Sequence, residues 1–382
     1  MANKRISVIG LGRLGLSFAL LCDSVGYEVF GYEANTERAL QIKDKTLKSN
    51  ELYIEELLAK SKMQIAPSLK EAVRASDLIF VLVATPSLPD GEYDHSQVEK
   101  VIEDIKLLFI NHVNKTVVIS CTTMPGFCKS LEEKVKGLNI NIIYNPEFIA
   151  QGNIINGLKH ADMVLIGGDD IPKSLFELYR DIMVVPPNFN VLSLTGSEIT
   201  KIGINCYLTL KTAYANLIGD IAINSGEEEN IHAILNAIGS DKRIGNRYLG
   251  YGFPASGICL PRDVRALINY GKTIQVSSTF VQEMIEENDR HIFYMMDYYI
   301  KKYHSTYAEN KLPFIFSHIT YKASVDILTE SRQLELCIEF LRAGYNVSIP
   351  NGSLDLDLPD ELKAFIKEGK VVFDATEGLK VN

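Results

Sequence analysis

Short apolar runs alternate with amphipathic stretches through the first half of the chain. Arg5-Ile6-Ser7-Val8-Ile9 reads as a strand, Leu16 to Val25 as an amphipathic helix, and Tyr27 to Tyr32 as a second strand. Asp77-Leu78-Ile79-Phe80-Val81-Leu82-Val83 is almost unbroken in its apolarity, the pattern of a strand covered on both faces in a parallel sheet. Thr116 to Ser120, Asn141 to Tyr144 and Met163 to Ile166 follow as further strands. This is the βα alternation of a doubly wound α/β sheet.

From about residue 190 the period changes. Ser197 to Glu227 carries one long helical pattern with Thr195 or Ser197 as its N-cap, and helical patterns return over 231–238 and from Arg262 to Lys302. The polar stretch from His304 to Lys311 reads as a linker. Beyond it, strands at 313–316, 346–349 and 371–373 alternate with helices at 331–343 and 362–368, giving a second, smaller α/β unit. The expected organisation is a doubly wound domain over 1–190, a long-helix region over 191–303, and a C-terminal α/β domain over 304–382.

Composition narrows the function classes. At 382 residues the chain can fill two or three cores, and 46% hydrophobic with 23% charged residues is ordinary for a globular protein. A net charge of −9 argues against nucleic acid or an anionic membrane surface as the main partner. It leaves room for a small anion, which local lysines and helix N-termini can bind. The six cysteines form no CxxC pair and the seven histidines no ligand pattern, so neither a disulfide framework nor a metal site is expected. Met-Ala-Asn-Lys-Arg runs straight into the first strand without a signal-peptide core, and no run reaches the ~18 apolar residues that span a bilayer. The expectation is a reduced, cytoplasmic, soluble protein with no membrane association.

The chemistry begins directly after the first strand, at Gly10-Leu11-Gly12-Arg13-Leu14-Gly15. GxGxxG between a strand and a helix, with an acid about 20 residues on, is a dinucleotide fingerprint. The N-terminal sheet is therefore expected to be of Rossmann type, with the pyrophosphate at the helix N-terminus. Glu33 would accept bonds from the ribose hydroxyls and repel a 2′-phosphate, which favours NAD over NADP. Arg38 is a weak counter-signal, close enough to count among the cofactor residues yet ordinary as a solvated helix residue.

Other groups stand at strand ends and on the long helix. Ala84-Thr85-Pro86 follows one strand, Cys121-Thr122-Thr123-Met124-Pro125-Gly126 the next, and Asn145-Pro146-Glu147-Phe148 a third. Ligands of such sheets lie at these carboxyl ends. Taken alone, Glu147 would be a surface carboxylate. Lys201 and Asn205 share a helical face at i, i+4, with Lys211 and Asn216 further along. Ser256-Gly257-Ile258-Cys259-Leu260-Pro261-Arg262-Asp263 presents a thiol from a small-residue loop. Most such cysteines are buried hydrophobes; a reactive one needs an electropositive, partly open setting.

With those motifs in order, the chain resembles the nucleotide-sugar dehydrogenases, the family of UDP-glucose 6-dehydrogenase and its UDP-N-acetylmannosamine and GDP-mannose relatives. The resemblance runs from residue 5 to about 300, and it includes Glu198 beside Lys201 and Asn205. Arg243-Ile244-Gly245-Asn246 and the short length look most like the bacterial UDP-glucose enzymes. The resemblance implies a four-electron oxidation of a C6 alcohol to a carboxylate through a cysteine thiohemiacetal and thioester. In that scheme Cys259 attacks the aldehyde and Lys201 with Asn205 stabilises an oxyanion. Asp263 and Glu147 steer or deprotonate water through Thr122. The resemblance further implies Gly10, Gly12, Arg13, Leu14, Gly15, Glu33, Arg38, Thr85, Pro86, Thr122 and Arg262 as cofactor residues. For the nucleotide sugar it implies Glu147, Phe148, Ile149, Lys201, Asn205, Arg243, Asn246, Tyr248, Gly257 and Lys322. Separately, an all-helical spacer such as 191–303 often supplies a dimer interface, so a homodimer through the central helix is expected.

Several positions depart from the family pattern. Phe253-Pro254-Ala255-Ser256 replaces a more glycine-rich approach to the cysteine, Gln151 and Leu217 stand where acids are common, and Met163 replaces a frequent arginine. Lys322 and Asp326 fit, but Thr329 occupies the place of an arginine that reaches substrate, for which Arg332 is a substitute. The reading is a UDP-glucose 6-dehydrogenase type of enzyme. Alternatives are another UDP- or GDP-sugar as substrate, a β-hydroxyacid-type dehydrogenase that transfers one hydride, and a non-catalytic nucleotide-binding relative.

Overall fold

The structure, a computed structural model, describes residues 4–108, 114–307, 312–323 and 325–381. The chain divides into two compact units, Met1–Lys201 and Ile202–Asn382, with the division falling inside the 31-residue helix Leu194–Asn224.

The first unit is built on one sheet. Its strands are β1 (Arg5–Ile9), β2 (Glu28–Tyr32), β3 (Gln64–Ile65), β4 (Leu78–Val81), β5 (Lys115–Ile119), β6 (Ile140–Tyr144), β7 (Val164–Gly167) and β8 (Phe189–Leu192). They run in the order β3-β2-β1-β4-β5-β6-β7-β8, the reversal of a doubly wound fold. All neighbours are parallel except β6 and β7, which meet only at Tyr144 opposite Gly167. The near-continuous apolarity of β4 has the expected cause. Leu78 and Phe80 enter one core beneath the helix Arg13–Ser24, while Ile79 and Val81 enter a second beneath the helices Ser96–Leu108 and Phe127–Lys134. Phe80 meets Phe18 at 4.7 Å between ring centroids, and removing such a ring costs roughly 3–5 kcal/mol.

In the second unit the helices Ile231–Ser240, Leu260–Thr273 and Thr279–Thr306 follow the central helix. A small parallel sheet then forms from β9 (Phe314–Phe316), β10 (Val347–Ile349), β11 (Val371–Phe373) and β12 (Leu379–Val381), in the order β11-β10-β9-β12. Its core stacks Phe314 on Phe340 at 3.9 Å and takes in Ile292, Met295 and Tyr303 from the helix Thr279–Thr306.

The differences from the sequence reading lie at element ends. Strands β3, β8 and β12 carried too little pattern, being two to four residues long, and β8 exposes Val191 and Leu192. The central helix opens at Leu194 rather than Ser197. Ser193, not Thr195 or Ser197, caps it by accepting the Gly196 N–H at 3.1 Å, and Ser197 is buried inside. The single pattern from Arg262 to Lys302 is two helices, broken where Gln275 takes φ +58°. His304 to Thr306 belong to a helix and not to a linker, Tyr307 is its C-cap, and 308–311 lie outside the described residues.

Candidate active site

The turn after β1 is shaped by what its glycines lack. Gly10 has φ +92°, and a Cβ there would stand 2.6 Å from the Leu82 carbonyl oxygen. A Cβ on Gly15 would stand 1.9 Å from the carbonyl oxygen of Gly10. At Gly12 nothing lies within 4 Å of that position. Two glycines thus close the turn, and the third leaves its backbone open at the start of the helix Arg13–Ser24, which suits a pyrophosphate. Glu33 is fixed against the turn, its Oε2 accepting Leu11 N–H at 3.0 Å and its Oε1 accepting Asn35 N–H at 2.9 Å. Arg38 is not on a solvated face, because its Nε donates to the Leu11 carbonyl at 2.8 Å and so braces the same turn. Arg13 is half-buried, while Leu14 packs its side chain against the core.

The loops at the ends of β4 and β5 are joined, with the Thr85 hydroxyl donating to the Thr122 carbonyl at 2.9 Å. Pro86 accepts Asp94 N–H at 2.8 Å through its carbonyl. The central helix is pinned to the second loop by Glu198. This fully buried carboxylate accepts from the Thr123 hydroxyl at 2.8 Å, Gly126 N–H at 2.6 Å and Cys128 N–H at 2.8 Å. Burial raises its carboxyl above the ordinary range while those donors pull it down. The sequence showed Glu198 as part of a motif; this clasp gives it a role.

Glu147 is no surface carboxylate. Burial lifts its carboxyl to about 7, against the opposing pull of the Tyr179 hydroxyl and the Lys201 ammonium. The Tyr179 oxygen lies 2.6 Å from both Asn145 Oδ1 and Glu147 Oε1, so its one proton serves a single acceptor at a time. Lys201, itself buried, donates to the Glu147 carbonyl at 2.8 Å and stands 4.5 Å from the Phe148 ring centroid. Ile149 turns its side chain onto Gly157 and the core. Tyr179 had no signal in the sequence beyond being one tyrosine on an amphipathic helix, Lys173–Ile182.

In the second unit Cys259 directly precedes the helix Leu260–Thr273. It is exposed and the other five cysteines are buried. Burial pushes the Cys206 and Cys337 thiols up to about 12, and those of Cys22 and Cys128 well above their usual value. Asp263 lies in the first turn of that helix without solvent exposure. Its Oδ2 accepts from Asn205 Nδ2 at 2.6 Å and its Oδ1 from Arg262 Nε at 2.9 Å. Asp263 therefore holds Asn205 in orientation. Arg262, expected on the cofactor, is engaged with Asp263.

The remaining positions are less convergent. Arg243 is exposed and pairs with Asp241 at 2.6 Å. Lys211 Nζ donates to the carbonyls of Ile244 and Gly245 at 3.1 and 2.9 Å, fixing the adjoining turn. Asn246 covers Gly239, where a Cβ would stand 1.8 Å from its Oδ1. Tyr248 is exposed at φ +60°, Lys322 is exposed, and Gly257 N–H donates to the Glu330 carbonyl at 3.0 Å. Arg332 is the position expected to reach substrate in place of Thr329. Its buried guanidinium is taken by Asp289 and, at 2.7 Å, by Glu335. Among the described residues no group of three His, Cys, Asp or Glu could hold a metal ion, and no helix is long and apolar enough to cross a membrane.

A doubly wound sheet with this glycine turn and an acid anchored at the end of β2 defines an NAD-binding dehydrogenase. The pattern of the UDP-glucose/GDP-mannose dehydrogenase family, NAD binding domain, matches residues 4–183, and that of the same family's central domain matches residues 195–290. The chain belongs to the UDP-glucose/GDP-mannose dehydrogenase family and uses NAD. It is 26% identical over 383 residues to a UDP-glucose 6-dehydrogenase of Rickettsia bellii, covering 97% of this chain and 85% of that one. Identity is also 26%, over 371 residues, to a GDP-mannose 6-dehydrogenase of Pseudomonas syringae pv. syringae, with 92% and 81% covered. Among solved structures, a UDP-glucose dehydrogenase from Pyrobaculum islandicum superposes with a TM-score of 0.80 at 25% identity, covering 97% and 86%.

Proposed function

We propose that the chain oxidises the C6 alcohol of UDP-glucose to the carboxylate, with the Cys259 sulfur holding the sugar between two NAD-dependent oxidations. One observation carries this reading: of six thiols only Cys259 is exposed, and it stands at a helix start, where backbone amides favour negative charge.

NAD, when bound, takes up the two electron pairs; the rest falls to side chains. Glu147, titrating near neutrality, takes or returns protons at the C6 oxygen and the attacking water. Lys201, held by the Glu147 carbonyl, and Asn205, held by Asp263, donate to the oxyanion. The thiolate adds to the aldehyde carbon and the carbonyl pair moves onto oxygen, giving a thiohemiacetal. Its oxidation gives a thioester; water then adds, the C–S bond breaks, and the thiolate returns. One alcohol, two NAD⁺ and one water yield one carboxylate, two NADH and three protons.

The nucleotide sugar would engage Phe148, Ile149, Arg243, Asn246, Tyr248, Gly257 and Lys322, and the cofactor the turn at 10–15 with Glu33, Arg38, Thr85, Pro86 and Thr122. On this reading 1–190 binds NAD, 191–303 carries the cysteine and 304–382 binds the nucleotide. A homodimer through the central helix is part of the proposal, supported by exposed Tyr207, Tyr214, Leu217 and Ile221 within an arc of roughly 80° on that helix.

Equal identity to a GDP-mannose enzyme favours a GDP-sugar as the second reading. A panel of UDP- and GDP-sugars, with NADH counted per acid formed, separates them. Two NADH per UDP-glucuronate supports the first reading, and faster turnover of a GDP-sugar supports the second. One NADH per product would indicate β-hydroxyacid chemistry, and binding without turnover a non-catalytic relative.

A further inference from the structure

The segment that leads into Cys259 has no regular secondary structure from Tyr251 to Ile258, yet its backbone is tied at several points. Asn288, on the helix Thr279–Thr306, is buried and clamps one residue from both sides. Ala255 N–H donates to its Oδ1 at 2.8 Å, and its Nδ2 donates to the Ala255 carbonyl at 3.2 Å. One turn further on, His291 has Nε2 at 3.0 Å from the Gly252 carbonyl and Nδ1 at 2.9 Å from Asp220 Oδ2. The ring thus bridges the loop backbone and the central helix through its two nitrogens. Asp220, on the central helix, is itself braced by the Tyr251 hydroxyl at 3.0 Å.

We propose that Asn288 and His291 are positioning residues for the Cys259 thiol, holding the loop backbone so that the sulfur is delivered at the helix start within attack distance of the carbonyl carbon. The proposal rests on the reading of Cys259 as nucleophile. Ala255 and Cys259 are four residues apart, so a released clamp reaches the sulfur through a short length of chain. A misplacement of about 1 Å at a reacting atom is worth on the order of a hundredfold in rate. Neither side chain has to touch substrate or cofactor for this to hold.

The test compares Asn288→Ala, His291→Ala and His291→Gln, the last of which keeps an amide able to donate to the Gly252 carbonyl. Three quantities are read: NADH formation from UDP-glucose, the rate at which iodoacetamide alkylates Cys259 in the free protein, and the thermal midpoint. Asn288→Ala is expected to lower kcat about tenfold or more while KM moves less than about threefold, and to change the alkylation rate by at least about threefold. His291→Gln is expected to retain more kcat than His291→Ala. If Asn288→Ala does not fold, Asn288→Ser is judged on the same quantities. A lowered midpoint with unchanged kcat and alkylation rate overturns the proposal. Full turnover by Cys259→Ser is a different failure, because it removes the nucleophile itself. Inactive Cys259→Ser beside an unaffected Asn288→Ala removes only the positioning role.

Discussion

Asn205 gives its side-chain amide to Asp263 at 2.6 Å, at a carboxylate with no exposure to solvent. The pairing ties the helix Leu260–Thr273, which Cys259 directly precedes, to the central helix. Asp263→Ala removes the carboxylate that Arg262, whose side chain is only 12% exposed, meets at 2.9 Å. Breaking such a buried pair costs roughly 3–5 kcal/mol. Urea denaturation should show a loss of that order, with kcat falling because Asn205 is no longer oriented. Unchanged stability would remove Asp263 from this structural role.

Glu147 sets a pH dependence of definite sign. Its carboxyl stands at about 7 when folded and near 4.5 when unfolded, so the folded chain holds more protons between those values. The stability contributed by this group is complete below about 4.5 and is lost as pH rises through about 7. Glu147→Gln lacks that slope and should gain on the parent between pH 5 and 8 by on the order of 2–3 kcal/mol. The kcat/KM profile should carry a limb near pH 7 that the variant abolishes. Parallel stability curves for the two proteins would contradict the assignment.

Gly12 and Gly15 separate cofactor binding from folding. Gly12→Ala meets nothing within 4 Å, so the thermal midpoint should stay within about a degree while NAD affinity drops at least about tenfold. Gly15→Ala drives a Cβ to 1.9 Å from the Gly10 carbonyl and should lose both. Equal NAD affinity in Gly12→Ala, measured by calorimetry, would move the pyrophosphate elsewhere.

The apolar stripe on the central helix bears on assembly. Leu217→Asp puts a charge among Tyr214 and Ile221, all exposed in the single chain. If a second copy covers that face, light scattering should report a shift from dimer to monomer. A parent protein that is monomeric at micromolar concentration would dispose of the dimer.

What the sequence made legible follows from signal strength. The Gly10–Gly15 turn was readable because a tight turn and a close approach each demand glycine, and Glu33 because an acid follows that turn at the end of β2. The strand β4 was readable because both its faces are buried. Glu147 was legible only through family likeness; nothing local separates it from a surface acid, since the burial that lifts its carboxyl, and the Tyr179 and Lys201 groups that oppose the lift, come from segments distant in sequence. The same holds for Arg332. A buried guanidinium and an exposed one look alike in sequence until Asp289 and Glu335 are seen around it. Edge strands such as β8 bury too little for their pattern to register.

The seam between β6 and β7 has a bearing on motion. One backbone register pair, the Asn145 amide on the Leu165 carbonyl and the Asn141 amide on the Asp170 carbonyl join β6 to β7 and the loop after it, above a shared core. The helix Lys173–Ile182, which carries Tyr179, lies between those strands in sequence. Amide hydrogen exchange should therefore reach this corner before β1, β4 and β5. Each transient fraying there would let go of the phenol that restrains Glu147, linking the breathing of a sheet edge to the proton inventory of the reaction.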